Sequence, residues 1–200
     1  MCDCFSRWLP LGYNNVMSTP TQLLPASASA TENAMETITI RPASFNDIAD
    51  IARIYNEAVL TTTATYDLEP QPIEARVKWF HDHEATGMPM FVAEEDGVIV
   101  GWSSLSIFRG KEGYRFTVEN SIYISESHRG RGLGRRMLAG LIDSARDLGL
   151  HSIVAGIDAD TEASIRLHAS FGFEKVAHLK QVGYKFNRWL DVVFMQLILK

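Results

Sequence analysis

Cysteine is almost absent from this chain. Cys2 and Cys4 are the two in 200 residues, and nothing after position 4 carries a thiol. Beyond that point a disulfide framework, a cysteine nucleophile and a thiolate zinc site are excluded, and a cytoplasmic protein is the expected kind. No apolar run approaches the ~20 residues that a bilayer span needs. Positive charge is not in excess either. The formal net charge is −5 at pH 7, which argues against a general nucleic-acid or membrane-surface binder. No Gly-Lys-Ser/Thr triplet marks a Walker loop. No metal-ligand cluster, nucleophilic serine elbow or internal repeat is found in the sequence.

What is present is the balance of a globular protein, with 46% hydrophobic and 22% charged residues. That is enough to bury a core within one domain. Residues 1–35 stand apart: positions 18–34 are rich in Ser, Thr, Ala and Pro, the composition of a disordered leader. The leader has neither the basic start and apolar run of a secretory signal nor, with Arg7 alone, the basic character of a transit peptide. The folded domain is expected over residues 36–200.

Periodicity gives the elements. Residues 37–41 read as a strand. Ser44 with Asp47 forms a capping box ahead of a helix carrying Ile48, Ile51, Ala52, Tyr55, Ala58 and Val59 on one face. Residues 72–83 read as a second helix. Strands at 91–95 and 98–107 flank Asp96-Gly97, a strong hairpin signal. A strand at 117–125 runs into a helix at 132–148, whose Leu133, Met137, Leu138, Leu141, Ile142 and Ala145 share a face. A strand at 152–157, a helix at 162–171 stopped by Gly172, and strands near 173–178 and 191–199 close the chain. The order predicts a mixed α/β sheet with helices on both faces.

The segment between the strand at 117–125 and the following helix carries the clearest chemistry. Glycines at 130, 132 and 134 let the backbone turn sharply so that N–H groups converge. The helix N-terminus adds its positive dipole end. Arg129, Arg131, Arg135 and Arg136 make a cationic cluster in an acidic protein. The physical reading is a pyrophosphate cradle; an ordinary loop and cap is the plainer alternative.

Arg129-Gly130-Arg131-Gly132-Leu133-Gly134 resembles the R/Q-x-x-G-x-G/A signature of GNAT acetyltransferases. Within them the chain is similar to the phosphinothricin and methionine sulfoximine N-acetyltransferase branch. The blocks that carry the likeness are Ile40-Arg41-Pro42-Ala43, Ile54-Tyr55-Asn56, residues 62–67 and 117–124, Ser164-Ile165-Arg166-Leu167-His168 with Gly172-Phe173, and residues 182–186 followed by 188–191. The resemblance implies a mostly antiparallel central sheet with a splayed parallel strand pair. It implies acetyl-CoA as co-substrate without a metal, a small-molecule amine acceptor and a homodimer. Arg129, Gly130, Arg131, Gly132, Leu133, Gly134 and Arg135 would then hold the pyrophosphate. Ile122, Tyr123 and Ile124 would offer their backbone to the pantetheine arm, and Thr161 and Ser164 would contact it from a helix. Many family members have Asn where this chain has Thr161, which can still cap the helix.

Of the reacting groups, Glu119 resembles the branch's general base, and His168 stands where the family places the proton donor for the departing thiolate. A solvent-facing strand glutamate and a structural helix histidine are the plainer readings of the two. Arg109, Gly110 and Lys111 would lie over the acceptor, with Arg109 suited to a carboxylate or phosphinate; a solvated basic loop is the alternative. Asn120 and Ser121 are expected as acceptor-side contacts. The expected reaction is acetyl transfer to the α-amine of a small amino acid or analogue. The competing readings are another amine acceptor (a polyamine, an aminoglycoside or a protein N-terminus) and a non-catalytic acyl-CoA sensor.

Overall fold

The computed structural model describes residues 38–200. The expected leader over residues 1–35 lies outside the described residues, as does Thr37. In chain order the elements are β1 (Thr39–Pro42), α1 (Ile48–Thr61), α2 (Ile73–Thr86), β2 (Met90–Glu95), β3 (Val98–Ile107), β4 (Thr117–Ile124), α3 (Leu133–Asp147), β5 (Ser152–Asp158), α4 (Glu162–Ala169), β6 (Glu174–Lys185) and β7 (Arg188–Ile198). The strands form one sheet in the order β1-β2-β3-β4-β5-β7-β6. Among the described residues β4 and β5 are the parallel pair, and every other neighbouring pair is antiparallel. No helix among the described residues is long and apolar enough to cross a membrane.

Local chemistry accounts for the start of the fold. The Asp47 carboxylate accepts hydrogen bonds from the Ser44 amide (2.7 Å) and hydroxyl (2.9 Å). It also takes both terminal guanidinium nitrogens of Arg41 at 2.8 Å. The Arg41 hydrogen bonds, ahead of the Ser44 contacts, hold the Asp47 pKa down to about 2 against the opposing effect of burial. Arg41 Nε donates to Glu94 on β2 as well, at 2.7 Å, so one side chain ties β1, β2 and the entry to α1 together. The hairpin between β2 and β3 turns on Asp96 (φ 51°) and Gly97 (φ 80°), the pair of left-handed residues that suits the twist of the flanking strands.

Helices cover both faces. On one face α1 brings Ile51, Ile54, Tyr55 and Val59 against Val92, Ile99 and Trp102 of the sheet. On the other, Leu133 and Met137 of α3 meet Ala93 and Val100. Leu138, Leu141 and Ile142 of the same helix meet Leu105, Val118 and Ile153. The last two strands depart from expectation: β6, at 12 residues, runs about twice as far as its apolar pattern suggests, and β7 begins three residues earlier than expected, at Arg188. They meet at Phe186 (φ 50°) and Asn187 (φ 58°), a tight turn without glycine or proline. The Tyr184 hydroxyl donates to Asn187 Oδ1 at 2.7 Å and holds it.

Candidate active site

β4 and β5 pair only through Thr117↔Ser152, Val118↔Ile153 and Glu119↔Val154. Past Glu119 they part. β4 stays bonded to β3 as far as Ile124↔Gly101, and β5 to β7 as far as Asp158↔Val192. The two facing strand edges therefore have no strand between them, and their peptide groups are left to pair with a ligand. A cleft of about 500 Å³ fills the fork, bordered on one side by Asn120, Ser121, Ile122, Tyr123 and Ile124 and on the other by Gly156, Ile157 and Asp158.

The glycine loop closes one end of this cleft. Gly132, at φ 78°, turns the chain into α3. The first turn of α3 leaves amide groups without helical acceptors, and Gly130, Gly132 and Gly134 line the cleft beside Arg129 and Arg135. Arg129 Nε donates to the Ile124 carbonyl at 3.0 Å, and Arg135 Nη1 to the Ser170 hydroxyl at 3.1 Å. Arg131 points elsewhere, with its guanidinium 2.8 Å from one carboxylate oxygen of Glu95. His128 Nε2 is 2.8 Å from the other oxygen. Leu133 is buried against Met137 in the core. Glu95, at the end of β2, thus latches the loop from behind. Glu95→Gln should raise the acetyl-CoA KM about two- to fivefold, the worth of one partly exposed charge pair. Initial-rate kinetics should show kcat nearly unchanged.

β4 divides its side chains between the two faces of the sheet, as any strand does. Tyr123 lies with Tyr55, Trp79 and Trp102 under α1 and α2, and its ring stacks on Trp102 with centroids 4.7 Å apart. Ile122 and Ile124 lie under α3. By alternation Glu119 and Ser121 share the Tyr123 face, and Asn120 shares the α3 face. The half-buried Glu119 carboxylate reaches across the base of the fork. A Cβ on Gly156 of β5 would sit 3.3 Å from Glu119 Oε1. Burial raises the pKa of Glu119, and the charge of Arg109 partly offsets that rise. His168 of α4 is buried on the other face. Its Nδ1 is 2.8 Å from the Ser164 carbonyl oxygen, and Nε2 is 3.0 Å from Asn120 Nδ2. Burial lowers its pKa, with the Ser164 carbonyl acting against that.

The sequence profile of the acetyltransferase (GNAT) family matches residues 50–173. The chain belongs to that family. It is 47% identical over 160 residues to an L-amino acid N-acyltransferase of Escherichia coli K12, covering 80% of this chain and 93% of the relative. It is equally 47% identical over 160 residues to an L-methionine sulfoximine/L-methionine sulfone acetyltransferase of Salmonella typhimurium, covering 80% and 94%. Among solved structures, a GNAT phosphinothricin acetyltransferase of Sinorhizobium meliloti in complex with acetyl-CoA superposes with a TM-score of 0.79 at 38% identity, covering 82% of this chain and 89% of that one. This GNAT protein is accordingly an N-acetyltransferase.

Most of the residues singled out from the sequence meet at the fork of this GNAT sheet. Thr161 and Ser164 line the cleft from the start of α4, although the Thr161 side chain makes no capping hydrogen bond, contrary to expectation. Asn120 is turned toward His168 and α4, on the face opposite Glu119. Arg109, Gly110 and Lys111 are exposed and stand outside the cleft lining; Arg109 reaches Glu119 through its charge. Gly156, Ile157, Asp158 and Leu167, which were not among the residues expected at the site, also form the walls. A glycine inside a strand marks a close approach, so Gly156 carried a readable signal. The Tyr66 hydroxyl donates to Asp158 Oδ2 (3.3 Å) and to the Asp191 carbonyl (3.2 Å). That contact, which spans 92 residues, had no local signal.

Proposed function

We propose that this protein moves the acetyl group of acetyl-CoA to the α-amine of a small amino acid or analogue of the methionine sulfoximine, methionine sulfone or phosphinothricin kind, by direct attack. One observation carries the reading: the fork is a slot through the sheet, with Glu119 on one face and His168 on the other. Acetyl-CoA supplies an activated thioester when bound. The glycine loop with Arg129 and Arg135 suits its pyrophosphate, and the unpaired β4 edge at Ile122, Tyr123 and Ile124 suits its amide-bearing arm. A backbone N–H on that edge would stabilise an oxyanion, an effect of ~10²–10³ in rate for one donor.

The acceptor amine is protonated in solution and cannot attack until it loses a proton. A carboxylate whose pKa is raised toward neutrality is a better base than an ordinary one, and Glu119 has such an environment. Arg109, beside it, suits the acceptor's carboxylate or phosphinate. His168, across the slot, serves the departing sulfur. The names of the relatives point to the same acceptor class. An acceptor panel read by thiol release tests the reading. Methionine sulfoximine, methionine sulfone and phosphinothricin should exceed a polyamine, an aminoglycoside and a peptide N-terminus in kcat/KM by at least ~10²-fold, the worth of a matched polar pocket. A preference for one of the larger amines overturns it, and acetyl-CoA binding with no release for any amine indicates a sensor.

The same proposal includes a homodimer in the cytoplasm. β6 is a sheet edge, and its hairpin with β7 exposes Val182, Tyr184, Phe186 and Trp189, the last with 60% of its surface in solvent. A long apolar edge of this kind needs a cover. Light scattering should give twice the chain mass, and Trp189→Glu should return the monomer. A monomeric parent protein contradicts it.

A further inference from the structure

His168 is only 4% exposed, and the proton on its ring can be placed by accounting. A carbonyl oxygen accepts and never donates. The Ser164 carbonyl, 2.8 Å from Nδ1, therefore puts the proton of the neutral ring on Nδ1. Nε2 is left with a lone pair, and the Asn120 amide nitrogen at 3.0 Å donates to it. This orientation has a cost. Asn120 Oδ1 is buried and has no hydrogen-bond partner, and buried polar groups are normally paired.

Half a turn of the amide about its Cβ–Cγ bond would bring Oδ1 to Nε2 instead. In that second arrangement Nε2 must carry a proton for Oδ1 to accept, and Nδ2 takes the buried place that Oδ1 leaves. The ring would then donate to Ser164 through Nδ1 and to Asn120 through Nε2. Among the described residues no carboxylate is hydrogen-bonded to the ring. β4 presents Asn120, α4 presents Ser164, and the segment after α4 presents the Phe173 ring edge-on at 5.0 Å. Burial disfavours the charged ring, and the Ser164 carbonyl acts against that.

We propose that Asn120 is a positioning residue for His168: its amide holds the neutral Nδ1–H imidazole in one orientation and accepts from the imidazolium in the other. This rests on the reading of His168 as the group that serves the departing sulfur. In that step the Nε2–H bond breaks and an S–H bond forms. The positive imidazolium and the negative thiolate cancel, and the amide turns back. Between turnovers solvent returns the proton to Nε2.

The test is a pH titration of the full chain labelled with ¹⁵N-histidine, followed by long-range ¹H–¹⁵N spectra, with the His168 signals assigned by their loss in His168→Gln. In the parent protein the neutral ring should show a protonated Nδ1 and a bare Nε2. Asn120→Asp, which offers the imidazolium an anionic acceptor, should raise the titration midpoint by about one pH unit or more. Asn120→Leu, which removes the acceptor, should lower it. Asn120→Leu should also reduce kcat about tenfold with the acetyl-CoA KM changed less than about threefold, a loss at the chemical step rather than in ground-state binding. A neutral ring protonated on Nε2, or one midpoint shared by all three proteins, overturns the proposal. The spectra are taken on the free protein, so they decide the pairing even if every amine fails as an acceptor; that failure would instead fall on the proposed function.

Discussion

Glu119→Gln should lower kcat by about two to three orders of magnitude, the usual worth of a positioned base, while acetyl-CoA binding changes less than about twofold. The substitution keeps the shape of the side chain and removes its basicity. It leaves the loop at Arg129 and Arg135 and the β4 edge untouched. The pH dependence has a defined sign. Burial raises the Glu119 pKa above the ordinary carboxylate value and Arg109 only partly restores it. On the proposed mechanism the working form is the carboxylate, so parent activity should fall as pH drops through that raised pKa and recover above it. In the glutamine variant this acid limb disappears. An unchanged limb at high residual rate would assign the base elsewhere.

Gly156→Val should cost about as much, by a different route. A Cβ at this position sits 3.3 Å from Glu119 Oε1 and 3.5 Å from the Phe194 ring. A branched side chain adds two methyl groups to that space and pushes the carboxylate out of the fork. A displacement of about 1 Å at a reacting group can cost ~10² in rate. The backbone at 156 has no left-handed φ, so valine is tolerated by the strand itself and the fold should survive. Circular dichroism and thermal unfolding near parent values, with kcat reduced about a hundredfold, are the expected pair of results. Near-parent turnover would mean that the fork is wider and looser than its geometry shows.

The sheet, its helices and the glycine loop were legible because each is coded locally. Leu133, Met137, Leu138, Leu141 and Ile142 repeat at helical spacing, Asp96-Gly97 names its turn, and Gly130, Gly132 and Gly134 announce a backbone that must bend before a helix. Glu119 and His168 were singled out through likeness to a family, and both line the fork; their strand and helix patterns alone also fit an exposed glutamate and a structural histidine. Three features were not legible. The β6–β7 turn sets Asn187, a common turn residue, beside Phe186, a residue that seldom takes a left-handed φ. Arg131 belongs to the signature loop, yet its side chain is drawn to Glu95, 36 positions earlier. Asn120 was expected beside the acceptor, and its side chain faces His168, 48 positions later. Each of these depends on which partner the fold delivers, and a one-dimensional pattern does not contain that.

On the proposed reading, Glu119 on one face of the sheet prepares an amine for a thioester held in the slot between β4 and β5. Thiol release from acetyl-CoA with methionine sulfoximine, followed across pH and with the product identified by mass spectrometry, tests it most directly. Release should be in proportion to enzyme, with a product acetylated on the α-amine and a rate that climbs with pH through the raised pKa of Glu119. Tight acetyl-CoA binding without acetylated product, or a rate indifferent to pH across the acid range, would contradict it.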